Sequence, residues 1–209
     1  PTPGNLLGVP LNSVQVKKAY MTYVRRAVKK FKPTYLNVGI ECGELARDAT
    51  KWAQFVGLYN YIRFVLRAEF PTIKVGISFG LQTLLDPVIA TRVKPLVNNS
   101  DYLGLSFYPY GSDFGVRYGS PALPAPPKQW QDALNYIRAY TSKPIAMCET
   151  GYTTQDIHLA QWDLHMFGNP TQQAAYVKDL LVTAKNHNYL FVVWFLVMDY
   201  DALYAKMPQ

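Results

Sequence analysis

The spacing of apolar residues changes repeatedly along the chain, from helix-like recurrence to short strand-like runs and back. Residues 13–31 bring Val16, Ala19, Tyr20, Tyr23, Val24, Ala27 and Phe31 to one predicted helical face, with Ser13 as N-cap and Pro33 as the stop. An apolar run, Tyr35-Leu-Asn-Val-Gly-Ile-Glu41, then predicts a strand over 35–41. A second helix is expected over 49–69, ended by Pro71, and a second strand over 73–79. The same alternation predicts a helix near 84–97, a strand over 101–107, a helix over 128–141, a strand over 143–149, a helix over 170–187 and a strand over 189–196. Residues 108–127 and 150–169 are expected to be long loops.

Five strands alternating with helices predict a parallel sheet with helical crossovers, an α/β fold. Gly39, Gly76 and Gly104, with Ser78 and Ser106, recur at comparable strand positions, as small residues would on the inner wall of a tightly curved sheet. Both long loops follow strands. Long excursions at that end are typical of a (β/α) barrel whose loops build the active site.

Two acids stand at this end. Glu41 closes its strand, and Glu149 closes Lys143-Pro-Ile-Ala-Met-Cys-Glu149, with Thr-Gly-Tyr152 following. Paired carboxylates at the C-terminal ends of parallel strands are the minimum equipment for glycoside hydrolysis.

Length and composition leave this picture standing. The chain has 209 residues, 49% apolar and 17% charged, enough for one buried core and without the signature of disorder. We expect residues 1–209 to form a single, incomplete barrel-type catalytic domain. Aromatics reach 14%, with 16 Tyr and 4 Trp, and most should serve the core. The net charge is +7. Its cations are spread along predicted helices apart from Lys17-Lys18 and Arg25-Arg26…Lys29-Lys30-Phe-Lys32, which read first as a solvated helix face. No aromatic–basic interleaving points to nucleic acid. A polyanion-binding module is a third alternative, marked by steep salt dependence. Cys42 and Cys148 make no disulfide framework; alternation along the strand turns Cys148 away from the side used by Glu149. No apolar stretch suits a membrane span, and no signal peptide is visible.

The segments Gly39-Ile-Glu41, Asp101-Tyr-Leu-Gly-Leu-Ser-Phe-Tyr-Pro109, Glu149-Thr-Gly-Tyr152 and Val193-Trp194-Phe195 resemble the retaining (β/α)8 glycoside hydrolases of the clan with acids on strands four and seven. Among these the chain is most similar to the endo-β-1,4-galactanase (arabinogalactanase-like) family, through Ser-Phe-Tyr-Pro and Glu-Thr-Gly-Tyr. The resemblance implies a partial or modified TIM barrel with strands four to eight of the full fold. It implies Glu41 as acid/base and Glu149 as nucleophile, with Tyr108, Tyr152 and Trp194 binding an oligosaccharide or polysaccharide. The family has Asn before its acid/base, where this chain has Ile40, and Glu44 is the rival acid.

A full barrel has eight strands in about 250 residues. Five strands leave two open edges, so we expect a homo-oligomer that covers them. The chemistry requires no cofactor. His158, Asp163 and His165 match no established metal motif, and no phosphate loop or nucleophile elbow is present. The alternative from another class is a non-catalytic carbohydrate-binding or inactive protein descended from a hydrolase.

Overall fold

The computed structural model describes residues 6–109, 127–159 and 164–195. Asp163, to which the sequence drew attention, lies outside them. So does most of the loop expected over 108–127.

Five strands form one parallel sheet in the order β1 (Tyr35–Asn37), β2 (Lys74–Gly80), β3 (Tyr102–Phe107), β4 (Ile145–Thr150), β7 (Val192–Trp194). In chain order, β4 and β7 are separated by a second, antiparallel two-stranded sheet, β5 (Ile157–Leu159) and β6 (Leu164–Met166). The chain divides into two compact units, residues 1–79 with 83–103 and residues 80–82 with 104–209, and β3 passes from the first into the second.

The first unit carries α1 (Val14–Phe31), α2 (Ala49–Glu69) and α3 (Pro87–Asn98). Asp48 caps α2 by accepting from the Thr50 and Lys51 amides, and Asp86 caps α3, which begins at Pro87. Along α2, Trp52, Phe55, Leu58, Tyr59, Ile62 and Leu66 recur at helical spacing and are all buried. β2 is buried over Val75–Gly80, as expected of a parallel strand covered on both faces. Gly76 is small because a Cβ there would run into the Tyr102 ring on β3. At the start of β3, Asp101 accepts from Arg63 at 2.7 Å, Arg67 at 3.1 Å and the Val75 amide at 2.8 Å.

The second unit carries α4 (Pro127–Tyr140) and α5 (Pro170–Asn186), the latter capped by Asn169. Its core joins Leu105 and Phe107 of β3 and Ile145 and Met147 of β4 to Trp130, Leu134, Ile137, Tyr176 and Leu180 of the helices.

Helix 49–69 forms as expected, and the other helices agree to within a few residues. Four expectations need correction. The last strand, expected over 189–196, extends only over Val192–Trp194 among the described residues. On α1 the buried stripe is Met21, Val24 and Val28, while Tyr23 and Phe31 are exposed. The helix packs one strip on the body, and periodicity alone could not choose which of several apolar strips that would be. The first strand is three residues long rather than seven. Its pairing persists as Val38 donates to Gly76 and Ser78 donates to the Gly39 carbonyl, after which the chain leaves extended geometry at Glu41, whose φ is 50°. The stretch 150–169 also contains the β5–β6 pair, in which alternation is too short to read.

Candidate active site

Glu149 lies on β4 between β3 and β7, half-buried. The β4–β7 register shifts beside it: Met147 stands opposite Val192, but Thr150 stands opposite Trp194. Cys148 and Glu149 together therefore oppose the single residue Val193. Such a bulge bends the strand and re-aims side chains, and it removes the strict alternation on which the expected direction of Cys148 rested. Cys148 and Glu149 are both half-buried, while Met147 and Thr150 on either side are fully covered.

Tyr108 follows the last residue of β3. Its hydroxyl donates to Glu149 Oε1 at 2.5 Å, a short charge-assisted contact. The backbone behind this pair is tied by a buried relay. Thr150 Oγ1 donates to the Phe107 carbonyl at 2.6 Å and meets the Tyr176 hydroxyl, also at 2.6 Å. Since the Thr150 hydroxyl has one proton and gives it to Phe107, Tyr176 donates. Burial raises the Tyr176 phenol well above its ordinary range and keeps it a donor. Gly151 completes the arrangement. A Cβ there would collide with the Phe195 carbonyl and stand 3.2 Å from the Tyr108 ring.

The other expected site residues surround this pair differently. Trp194 on β7 is half-buried, its ring 6.2 Å from that of Tyr176. Tyr152 is 5% exposed; its hydroxyl donates to Gln172 Oε1 at 3.0 Å, and its ring meets Trp130 edge-on. Trp130 in turn donates from Nε1 to Asp179 at 2.8 Å. Tyr152, Tyr176, Trp130 and Trp194 thus form a linked aromatic layer. Thr150 and Tyr176 were not anticipated. Thr150 stood inside a quoted motif, but Tyr176 looks like any apolar position of α5.

Glu41, in the first unit, is exposed and precedes a 3-10 helix over Cys42–Arg47. Its amide donates to Ser78 Oγ at 3.3 Å. A left-handed φ at a non-glycine residue costs roughly 1–2 kcal/mol and is found preferentially where function demands it. Neighbouring glycines permit the turn: a Cβ at Gly39 would press on Cys42 and Phe55, and one at Gly43 on Thr83. Burial, with the Glu41 charge beside it, pushes the Cys42 thiol up to about 12. Glu44 is engaged elsewhere, bound by Arg47 at 2.9 Å. Ile40 is 69% exposed.

His158 is paired with His165 in the register of β5 and β6. Among the described residues no group of three or more His, Cys, Asp or Glu is arranged to hold a metal ion, and no helix is long and apolar enough to cross a membrane.

No protein-family profile and no curated protein matches the sequence. Solved structures do match. The GH53 catalytic domain of Ignisphaera aggregans superposes with a TM-score of 0.61 at 17% identity, over 92% of this chain and 56% of that one. A β-glucosidase from Exiguobacterium marinum gives 0.56 at 12%, over 90% and 62%. A monomeric β-xylosidase from Caulobacter crescentus CB15 gives 0.53 at 14%, over 87% and 38%. The fold is a partial TIM barrel. The chain spans less than two thirds of the length of each of these glycosidases, and at such identities the likeness speaks for the fold.

Proposed function

We propose that this partial barrel belongs to a retaining β-glycosidase in which Glu149 is the nucleophile and Glu41 the acid/base, with residues 1–209 contributing to one catalytic domain. The short hydrogen bond from Tyr108 to Glu149 carries the proposal. A phenol that donates to a strand-end carboxylate holds one oxygen still and leaves the other to attack. The bulge at Cys148–Glu149, the strained backbone at Glu41 and the glycosidase neighbours support it.

In the first step the Glu149 carboxylate bonds to the anomeric carbon while the glycosidic C–O bond breaks and Glu41 gives its proton to the leaving oxygen. In the second, Glu41 takes a proton from water, the water oxygen bonds to the anomeric carbon and Glu149 leaves. Trp194 offers a ring to the sugar, and Tyr152 supports it from within the aromatic layer. No cofactor takes part. Following the sequence resemblance, β-1,4-galactan is the first polymer to try, and a second copy of the chain is the proposed cover for the sheet edges.

Ile40 favours a second reading. It presents an exposed apolar side chain where the resembling family has an Asn that meets the sugar, a loss worth several kcal/mol of transition-state stabilisation. A glycan-binding protein without turnover would carry that change easily. One experiment separates the two: hydrolysis of aryl β-glycosides and β-1,4-galactan by the chain beside a Glu149→Gln variant. Turnover by the wild type alone, with a labelled Glu149 after treatment with a 2-fluoro glycoside, supports the enzyme. Binding without turnover in a folded sample supports the binder.

A further inference from the structure

The charge of this chain is concentrated in one place. Residues 14–32, which are α1 and its C-cap, hold Lys17, Lys18, Arg25, Arg26, Lys29, Lys30 and Lys32 and no acid. Removing these seven from the chain's 21 basic residues leaves 14 against 14 acidic ones, so the whole net charge of +7 resides on this helix.

Little of that charge is neutralised within the fold. Among the described residues, Arg25 pairs with Glu69, whose carboxyl Lys29 also helps to lower, Lys17 lies over the Tyr61 ring, 5.6 Å from its centroid, and Lys30 lies over the Phe31 ring, 5.4 Å from its centroid. Lys18, Arg26, Lys29, Lys30 and Lys32 are exposed. Opposite the buried strip of Met21, Val24 and Val28 stand Arg26 and Lys30, one turn or about 6 Å apart along the axis. Tyr23 stands beside them and is 69% exposed. Lys18 and Lys29 flank the same side.

We propose that this outer face of α1 binds an acidic polysaccharide. Cations spaced by a helical turn match a linear chain with one carboxylate or sulfate per sugar, and the exposed Tyr23 ring, about one turn before Arg26, supplies a face for a neighbouring sugar ring. A lipid surface would need a continuous stripe of large exposed apolar side chains, but Tyr23 and Phe31 stand about 12 Å apart along the axis with only Ala27, half-buried, between them on that side, and Val14 lies on the opposite side. Single-stranded nucleic acid would need successive aromatic platforms at base-stacking distance, and the exposed rings here, Tyr23 and Phe31, stand about 12 Å apart along the helix, with Lys30 over the second. The face belongs entirely to the first unit and is independent of the catalytic reading.

The test is calorimetric titration of the full chain with polygalacturonate at low and high salt, beside unsubstituted β-1,4-galactan, duplex DNA and phosphatidylserine vesicles. Two variants accompany it, Arg26→Gln/Lys30→Gln and Tyr23→Ala, both at exposed positions and checked for native circular dichroism. Expected are binding of polygalacturonate ahead of the other three, a loss of roughly tenfold or more on raising the salt from low to physiological strength, and a comparable loss in the double variant. Tyr23→Ala should weaken polygalacturonate and leave DNA unchanged. Absence of binding at low salt, binding indifferent to the double variant, or stronger binding of DNA or vesicles would overturn the proposal.

Discussion

Thr150 Oγ1 donates to the Phe107 carbonyl at 2.6 Å, joining the residue after the candidate nucleophile to the residue before the tyrosine that holds it. The contact sits where β3 and β4 end, so it sets how far Tyr108 stands from Glu149. Thr150→Val removes the proton donor and strands both the Phe107 carbonyl and the Tyr176 hydroxyl. We expect a loss of about 1–3 kcal/mol in denaturant unfolding. Thr150→Ser should restore most of it, while a valine variant as stable as the wild type would show the relay to be idle.

Tyr108→Phe deletes one hydroxyl and keeps the ring packed beside Gly151. If Glu149 attacks the sugar, kcat/KM should fall by one to two orders of magnitude, roughly the value of a charge-assisted hydrogen bond. Stability should change little, since the ring remains. Unchanged kinetics on an aryl β-glycoside would remove Tyr108 from the site.

Gly151→Ala places a methyl group against the Phe195 carbonyl, a backbone atom rather than the far end of a flexible side chain. Destabilisation of about 1–3 kcal/mol is expected from such overpacking. Gly8→Ala is the contrasting control: space around it is open but its φ is +74°, so any cost there is conformational. Thermal melts of the two variants distinguish collision from backbone strain.

Asp101 supplies a pH dependence. Burial alone would raise its carboxyl, but the Val75 amide, Arg63 and Arg67 outweigh burial and hold it below the usual carboxylate range. A depressed folded value means that its stabilising contribution is present above the unfolded value of about 3.9 and fades as pH falls through the folded one. The wild type should therefore lose stability on acidification below about pH 4 more steeply than Asp101→Asn. Parallel melting curves for the two proteins across that range would contradict the assignment.

Cys42 should resist modification. Burial, and then the charge of Glu41, lifts its thiol to about 12, and the neutral thiol is a poor nucleophile. Peptide mapping after maleimide treatment at neutral pH should find Cys42 unlabelled in the native protein and labelled in denaturant. Rapid native labelling would show that the turn at Glu41 opens.

Local signals were sufficient for the helices. Asp48 before a long apolar recurrence marks α2, and Asn169-Pro170 marks the start of α5, because caps and fixed proline dihedrals act within a few residues. The acids were legible for a similar reason: each ends an apolar run. What lay beyond reach were choices among equivalent local options. Tyr23 and Met21 are both apolar helix residues, and only the surface beneath α1 decides that Met21 is covered. The β4 bulge leaves no mark in composition, since it comes from the pairing with β7.

From the sequence alone came the alternation of strand and helix, hence an α/β fold with parallel strands, together with two acids at the ends of apolar runs and the basic clusters of the first helix. Periodicity, capping and charge are properties of neighbouring residues, so a linear reading captures them. The tertiary structure decided that Tyr108 meets Glu149, that Thr150 and Tyr176 lock the strands behind them, and that Glu41 adopts a left-handed turn. Those outcomes depend on which strands lie side by side, and burial and hydrogen bonding settle that across dozens of residues at once.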